Sequence, residues 1–194
     1  MLNPSFRIAN CDEIRIISDL TLKALPDDFS GILSSDEIDF MLERLYSQEI
    51  LQNAKESGRI YIIAKIEGKD VGVGSFIQEG PDLFFMGKIH VLPEYRENGA
   101  GSAIFQAVCA EIKKLHPAPC KVELMANHSN TALDFYKKLG LKYERDEIFD
   151  LESFELSEQI YSLEIWNERK MHISRSCVHF NSSAVLSFAF VRTN

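Results

Sequence analysis

The chain has 194 residues, with 21 Lys and Arg against 29 Asp and Glu, a formal net charge of −8 and 45% hydrophobic residues. A chain of that size buries roughly 70% of its unfolded surface, and its near-average apolar and charged fractions exclude disordered and fibrous classes. The acidic balance argues against nucleic-acid or anionic-membrane partners, which are held by clustered Lys and Arg, and leaves cationic partners such as amines open.

The first residues, Met1 to Arg7, lack a basic segment followed by an apolar run, so no signal peptide is expected. The longest mostly apolar stretch, residues 184–191, is far short of the roughly 20 residues a membrane helix needs, so no membrane contact is expected. Cys11, Cys109, Cys120 and Cys177 show no Cys-x-x-Cys spacing. Neither a metal site nor a disulfide framework follows, and buried thiols in a reducing cytoplasm are expected.

Residues 6–9 read as a short strand, followed by amphipathic helical stretches over 12–24 and 35–46. Ser34, Ser35, Asp36 and Glu37 supply the cap and first-turn carboxylates of the second. A third helix, 48–56, ends at Gly58. The period then changes: 59–66 and 70–78 are β-branched runs joined by Glu67-Gly68-Lys69, a hairpin signature, and a third run over 83–92 ends at Pro93. Residues 99–115 form a long helix with Ala103, Ile104, Ala107, Val108 and Ile112 on its apolar side, stopped by Pro117 and Pro119. A strand over 121–125, a helix over 131–139 closed by Gly140, and strands over 142–149 and 159–165 complete the order. This mixture predicts an α+β domain layered around a central sheet.

Residues 1–166 carry net charge −11, from 17 basic and 28 acidic residues, and form the expected domain. Residues 167–194, with 4 basic residues and 1 acid (net +3), form a Ser-rich C-terminal extension of undetermined role.

The most informative stretch runs from His90 through Pro93, Arg96, Gly99 and Gly101 to Ser102. A strand ends, a loop turns, and two glycines open a long helix whose unpaired first-turn N–H groups suit a pyrophosphate. A P-loop would need Gly-Lys-Ser/Thr, and a Rossmann fingerprint a third glycine where Ile104 stands. Arg96-x-x-Gly99-x-Gly101 resembles the coenzyme A signature of the GNAT superfamily of N-acetyltransferases. That resemblance implies a mixed central sheet of about seven strands flanked by helices, with acetyl-CoA as co-substrate. It places the pyrophosphate on Arg96, Glu97, Asn98, Gly99, Ala100, Gly101 and Ser102, and the pantetheine arm along Ile89, His90 and Val91.

A second stretch, from Asn127 to Leu141, resembles the family's other marker, Asn-x-x-Ala-x-x-hydrophobic-Tyr-x-x-x-Gly-Phe, through Ala132, Tyr136 and Gly140. By that resemblance Tyr136 protonates the departing thiolate and an Asn holds the pantetheine or the loop. Ser129 occupies the usual Asn position, so both Asn127 and Asn130 are candidates, and Leu141 replaces the common Phe.

Direct transfer to an amine needs a base. The resemblance makes Glu123, on the strand before the second motif, the first candidate, since some members of that family place a base near there; His90 is the second, since imidazole titrates near neutrality. The expected acceptor is an amine-bearing small molecule, polyamine or peptide. It would be drawn by acids early (Asp27, Asp28, Asp36, Glu37, Asp39, Glu43) and late (Glu144, Asp146, Glu147, Asp150, Glu152, Glu155) in the chain. The sequence leaves a homodimer open. The rival reading is a non-catalytic acyl-CoA-binding or interaction module on the same fold.

Overall fold

The computed structural model describes residues 4–29, 31, 33–127, 133–150 and 155–166. The expected extension over 167–194 lies outside them. Seven strands form one sheet in the order β1-β2-β3-β4-β5-β7-β6. They are β1 (Ser5–Ile8), β2 (Ile60–Ile66), β3 (Lys69–Gly80), β4 (Leu83–Val91), β5 (Cys120–Asn127), β6 (Lys142–Asp150) and β7 (Glu155–Ile165). Every neighbouring pair is antiparallel except β4 and β5.

Helices α1 (Ile14–Phe29), α2 (Ser35–Tyr46) and α3 (Gln48–Glu56) cover one face, and α4 (Ala100–Leu115) and α5 (Leu133–Lys138) the other. β4 reads as a nearly continuous apolar run because helices bury both its faces. Phe84, Met86, Ile89 and Val91 join the core beneath α4, whereas Phe85 packs with Leu25, Met41 and Tyr46 on the opposite side.

Local chemistry sets several boundaries. Ser34 accepts from the Glu37 N–H, and Glu37 accepts in return from the Ser34 N–H, which fixes the start of α2. Glu67 and Gly68 both have positive φ, 49° and 81°, giving the two-residue turn whose twist suits the β2–β3 hairpin. α1 runs past its expected end at residue 24 and through Pro26, where the packing of Ala24 and Leu25 outweighs the lost hydrogen bond.

The buried face of α4 is Ala100, Gly101, Ile104, Phe105, Val108, Cys109 and Ile112, rotated from the expected stripe so that Ala103 and Ala107 are only half-buried. It packs closely because β3 has glycines beneath it: a Cβ on Gly74 would lie 2.5 Å from Ile104 Cγ2. Cys109 and Cys120 are buried free thiols, with burial pushing the Cys109 thiol up to about 12. Cys11 is exposed, against expectation, because it opens a short surface turn before α1. No helix among the described residues is long and apolar enough to cross a membrane.

Candidate active site

The parallel strands β4 and β5 pair from Leu83 opposite Lys121 to Met86 opposite Leu124. β4 continues to Val91 and β5 to Asn127, and among the described residues no pairing joins them beyond Met86. β4 bulges at the same place: Ser75 of β3 faces Gly87, yet Val73, two residues earlier, faces His90. Three residues of β4 thus match two of β3, which bends the strand and re-aims its backbone groups where the sheet opens.

The start of α4 adjoins that opening. A 3-10 turn over Pro93–Asn98 leads to Gly99, which caps α4 in the left-handed conformation at φ 78°. Glycine adopts that conformation without Cβ strain. Among the described residues no side-chain cap is made at Gly99, so the first-turn N–H groups and the positive end of a 16-residue helix suit a phosphate group. Ala100 and Gly101 are buried and Ser102 is half-buried.

Arg96, expected against a phosphate, braces the turn. Its Nε donates to the Val91 carbonyl at 2.9 Å and its Nη2 to the Ala24 carbonyl at 2.7 Å. These bonds join the end of β4, the turn and α1, and they occupy a Val91 carbonyl expected to serve the pantetheine. Ile89 and Val91 point into the α4-side core. His90 is fully buried on the other face, with its ring edge-on to Tyr46 at 5.7 Å between centroids. Glu97 and Asn98 close the 3-10 turn, and the Asn127 backbone pairs with Glu158 across β5 and β7. Asn130 lies outside the described residues. Tyr136, on α5, is fully buried in the α4-side core and edge-on to Phe135 at 5.3 Å.

Glu123 lies opposite Phe85 in the closed part of the β4–β5 pair. It is 6% exposed and accepts two hydrogen bonds from Arg145, at 3.0 and 3.3 Å, and an ion pair from Lys121 at 3.1 Å. Burial pushes its carboxyl up, but the two cations outweigh burial and hold it below its ordinary value. A carboxylate so held is a weak proton acceptor. Lys121 is two residues away on the same strand, but Arg145, which supplies both hydrogen bonds, belongs to a strand two places away in the sheet and leaves no sign near Glu123 in sequence.

The late acids are likewise engaged: Glu144 pairs with Lys121 and Glu147 with Arg145, so two of the carboxylates expected at an acidic mouth are neutralised. Early in the chain, Glu37 is spent on its cap.

The depressed Glu123 carboxyl gives a pH dependence of stability. Its folded pKa lies below the unfolded one, so its contribution is complete above the ordinary value of 4.5 and is lost as pH falls through the folded value. Glu123→Gln is expected to cost about 1–3 kcal/mol at pH 7, and progressively less as the pH is lowered below 4.5, in urea unfolding. A cost independent of pH would place the effect in packing alone.

A family model described as "Acetyltransferase (GNAT) domain" matches residues 57–142. Among solved structures, the PaiA N-acetyltransferase of Thermoplasma acidophilum, in complex with coenzyme A, is 18% identical with a TM-score of 0.70, over 84% of this chain and 100% of that one. The ribosomal-protein-S18-alanine N-acetyltransferase of Escherichia coli is 14% identical, with a TM-score of 0.63 over 87% of this chain and 98% of that one. A GNAT family acetyltransferase of Elizabethkingia anophelis with acetyl-CoA bound is 16% identical, with a TM-score of 0.57 over 84% and 99%. The sequence matches no curated protein at a significant level.

Proposed function

We propose that this chain is a GNAT acetyltransferase that moves the acetyl group of acetyl-CoA directly to a primary amine of a small molecule or peptide, a reading supported by the family model over residues 57–142 and by the fold it shares with the PaiA N-acetyltransferase. The observation that carries the reading is the parting of β4 from β5 at a bulge, beside the uncapped start of α4. Acetyl-CoA, when bound, supplies an activated thioester.

The backbone amides from Gly99 to Ser102 hold the pyrophosphate, with Arg96 fixing the turn that presents them. The bulged edge of β4 receives the pantetheine arm, and a backbone N–H there stabilises charge developing on the carbonyl oxygen. Holding the amine in the same cleft supplies much of the acceleration. Tyr136 gives its phenolic proton to the departing thiolate.

We assign removal of the ammonium proton to His90 in preference to Glu123. His90 lies just past the bulge, on the face away from α4, whereas Glu123 is tied to two cations. His90→Gln is expected to lower kcat by about a hundredfold and to flatten the acid limb of the pH–rate profile. An unchanged limb in that variant, with a lost limb in Glu123→Gln, would return the role to Glu123. The reaction itself is tested by mass spectrometry of amines incubated with acetyl-CoA: gain of one acetyl group supports it, and none on any amine contradicts it.

A further inference from the structure

The buried face beneath α1, α2 and α3 holds a cation that nothing in the preceding scheme uses. Arg59 stands immediately before β2, and its backbone N–H donates to the Ala54 carbonyl of α3 at 2.9 Å. Its side chain is folded inside and the residue is 3% exposed. Among the described residues the guanidinium makes one hydrogen bond, from Nη1 to Ser75 Oγ at 3.4 Å, and no ion pair. Glu79, an exposed residue of β3, acts on it only through space.

A guanidinium carries five N–H donors in a fixed fork and keeps its proton. Burying one with a single long contact to a neutral hydroxyl is among the costliest arrangements a fold can hold, and replacing such a group by an apolar one commonly stabilises. Its retention makes sense where a ligand brings the counter-charge.

The surroundings connect it to the proposed active site. Ser75 is fully buried and lies opposite Gly87, the residue of β4 just past the last pairing with β5. Gly87 adds no side chain, so none from that strand position stands between Ser75 and the opening. Tyr46, which meets the His90 ring, lies close enough to Arg59 to interact with it electrostatically. Thr21, on α1 one turn beyond the Ser18 that donates to the Tyr46 carbonyl, has a fully buried Oγ1 with no partner among the described residues. The guanidinium, the Ser75 hydroxyl and a bare glycine thus run from the start of β2 to the place where β4 and β5 part.

We propose that Arg59, assisted by Ser75, binds a carboxylate carried by the acceptor, so that the amine acetylated belongs to an amino acid or similar small aminocarboxylic acid. This rests on the acetyltransferase reading and narrows its substrate class. Adjacent strands lie about 4.8 Å apart, so a carboxylate at Ser75 is one strand spacing from β4, within the span of a small molecule whose amine enters the cleft.

The test compares, on the full chain, amino acids with their carboxamides, which differ only in the charge of one group. The unmodified protein is expected to favour the carboxylate by about tenfold or more in kcat/KM, the discrimination a charge-assisted hydrogen-bonded pair supplies. Arg59→Met is expected to level the two and to raise Tm in the absence of ligand. Should that variant fold poorly, Arg59→Lys keeps the charge, loses the fork and is expected to reduce the preference severalfold. Equal rates in the unmodified protein, or a preference unchanged in either variant, would overturn the proposal.

Thermal unfolding with acetate or succinate provides an arm independent of catalysis. If no amine is acetylated although coenzyme A binds, the acetyltransferase reading fails. A carboxylate-dependent rise in Tm, absent in Arg59→Met, would still support the anion site, and no rise would overturn it.

Discussion

Replacing Gly101 by Glu is expected to lower coenzyme A affinity by about a thousandfold or more, roughly 4 kcal/mol, in calorimetric titration. Gly101 is buried in the first turn of α4, where Gly99 provides the cap and no side chain satisfies the amides. A carboxylate placed there takes the position proposed for the pyrophosphate and repels it. The same carboxylate is favourable to the helix itself, since negative charge at a helix N-terminus complements the dipole. Retained helix content with lost binding therefore separates a blocked site from a damaged fold. Gly101→Ala, which adds one methyl and no charge, is expected to lose only a few-fold. Unchanged affinity in Gly101→Glu would move the phosphate site elsewhere.

Tyr136→Phe has the second largest expected effect, a fall in kcat of roughly a hundredfold with coenzyme A affinity preserved. The ring is fully enclosed in the core beneath α4, edge-on to Phe135, and Phe keeps that packing while removing the proposed proton donor. Full activity in the variant would leave Tyr136 as a packing residue and reassign protonation of the thiolate.

How much of this was legible in the sequence depends on how local the cause is. Ser34 and Glu37 are three residues apart and cap each other, so the span of α2 could be read directly as Ser35–Tyr46. The β2–β3 turn was legible for the same reason, through Gly68 and its neighbour. The turn proposed to hold coenzyme A was marked by Arg96, Gly99 and Gly101, yet the bracing bonds of Arg96 were not legible. Its acceptor on α1 is the carbonyl of Ala24, 72 residues away, and any residue presents a carbonyl. The bulge in β4 has no composition of its own, because its strand is apolar on both faces and one inserted residue alters no pattern.

Glu123 shows the electrostatic form of the same problem. The family resemblance made it a candidate base, and only the placement of β6 beside β7 brings Arg145 onto it. Arg59 is the opposite case: the sequence marks it only as the first residue of an apolar run, yet the fold buries its charge.

Release of free thiol from acetyl-CoA, followed together with acetylation of the added amine, tests the central claim most directly. The account predicts thiol release that depends on the amine, matches the acetylated product mole for mole and is lost in Gly101→Glu. Tight coenzyme A binding with no thiol release on any amine would contradict it.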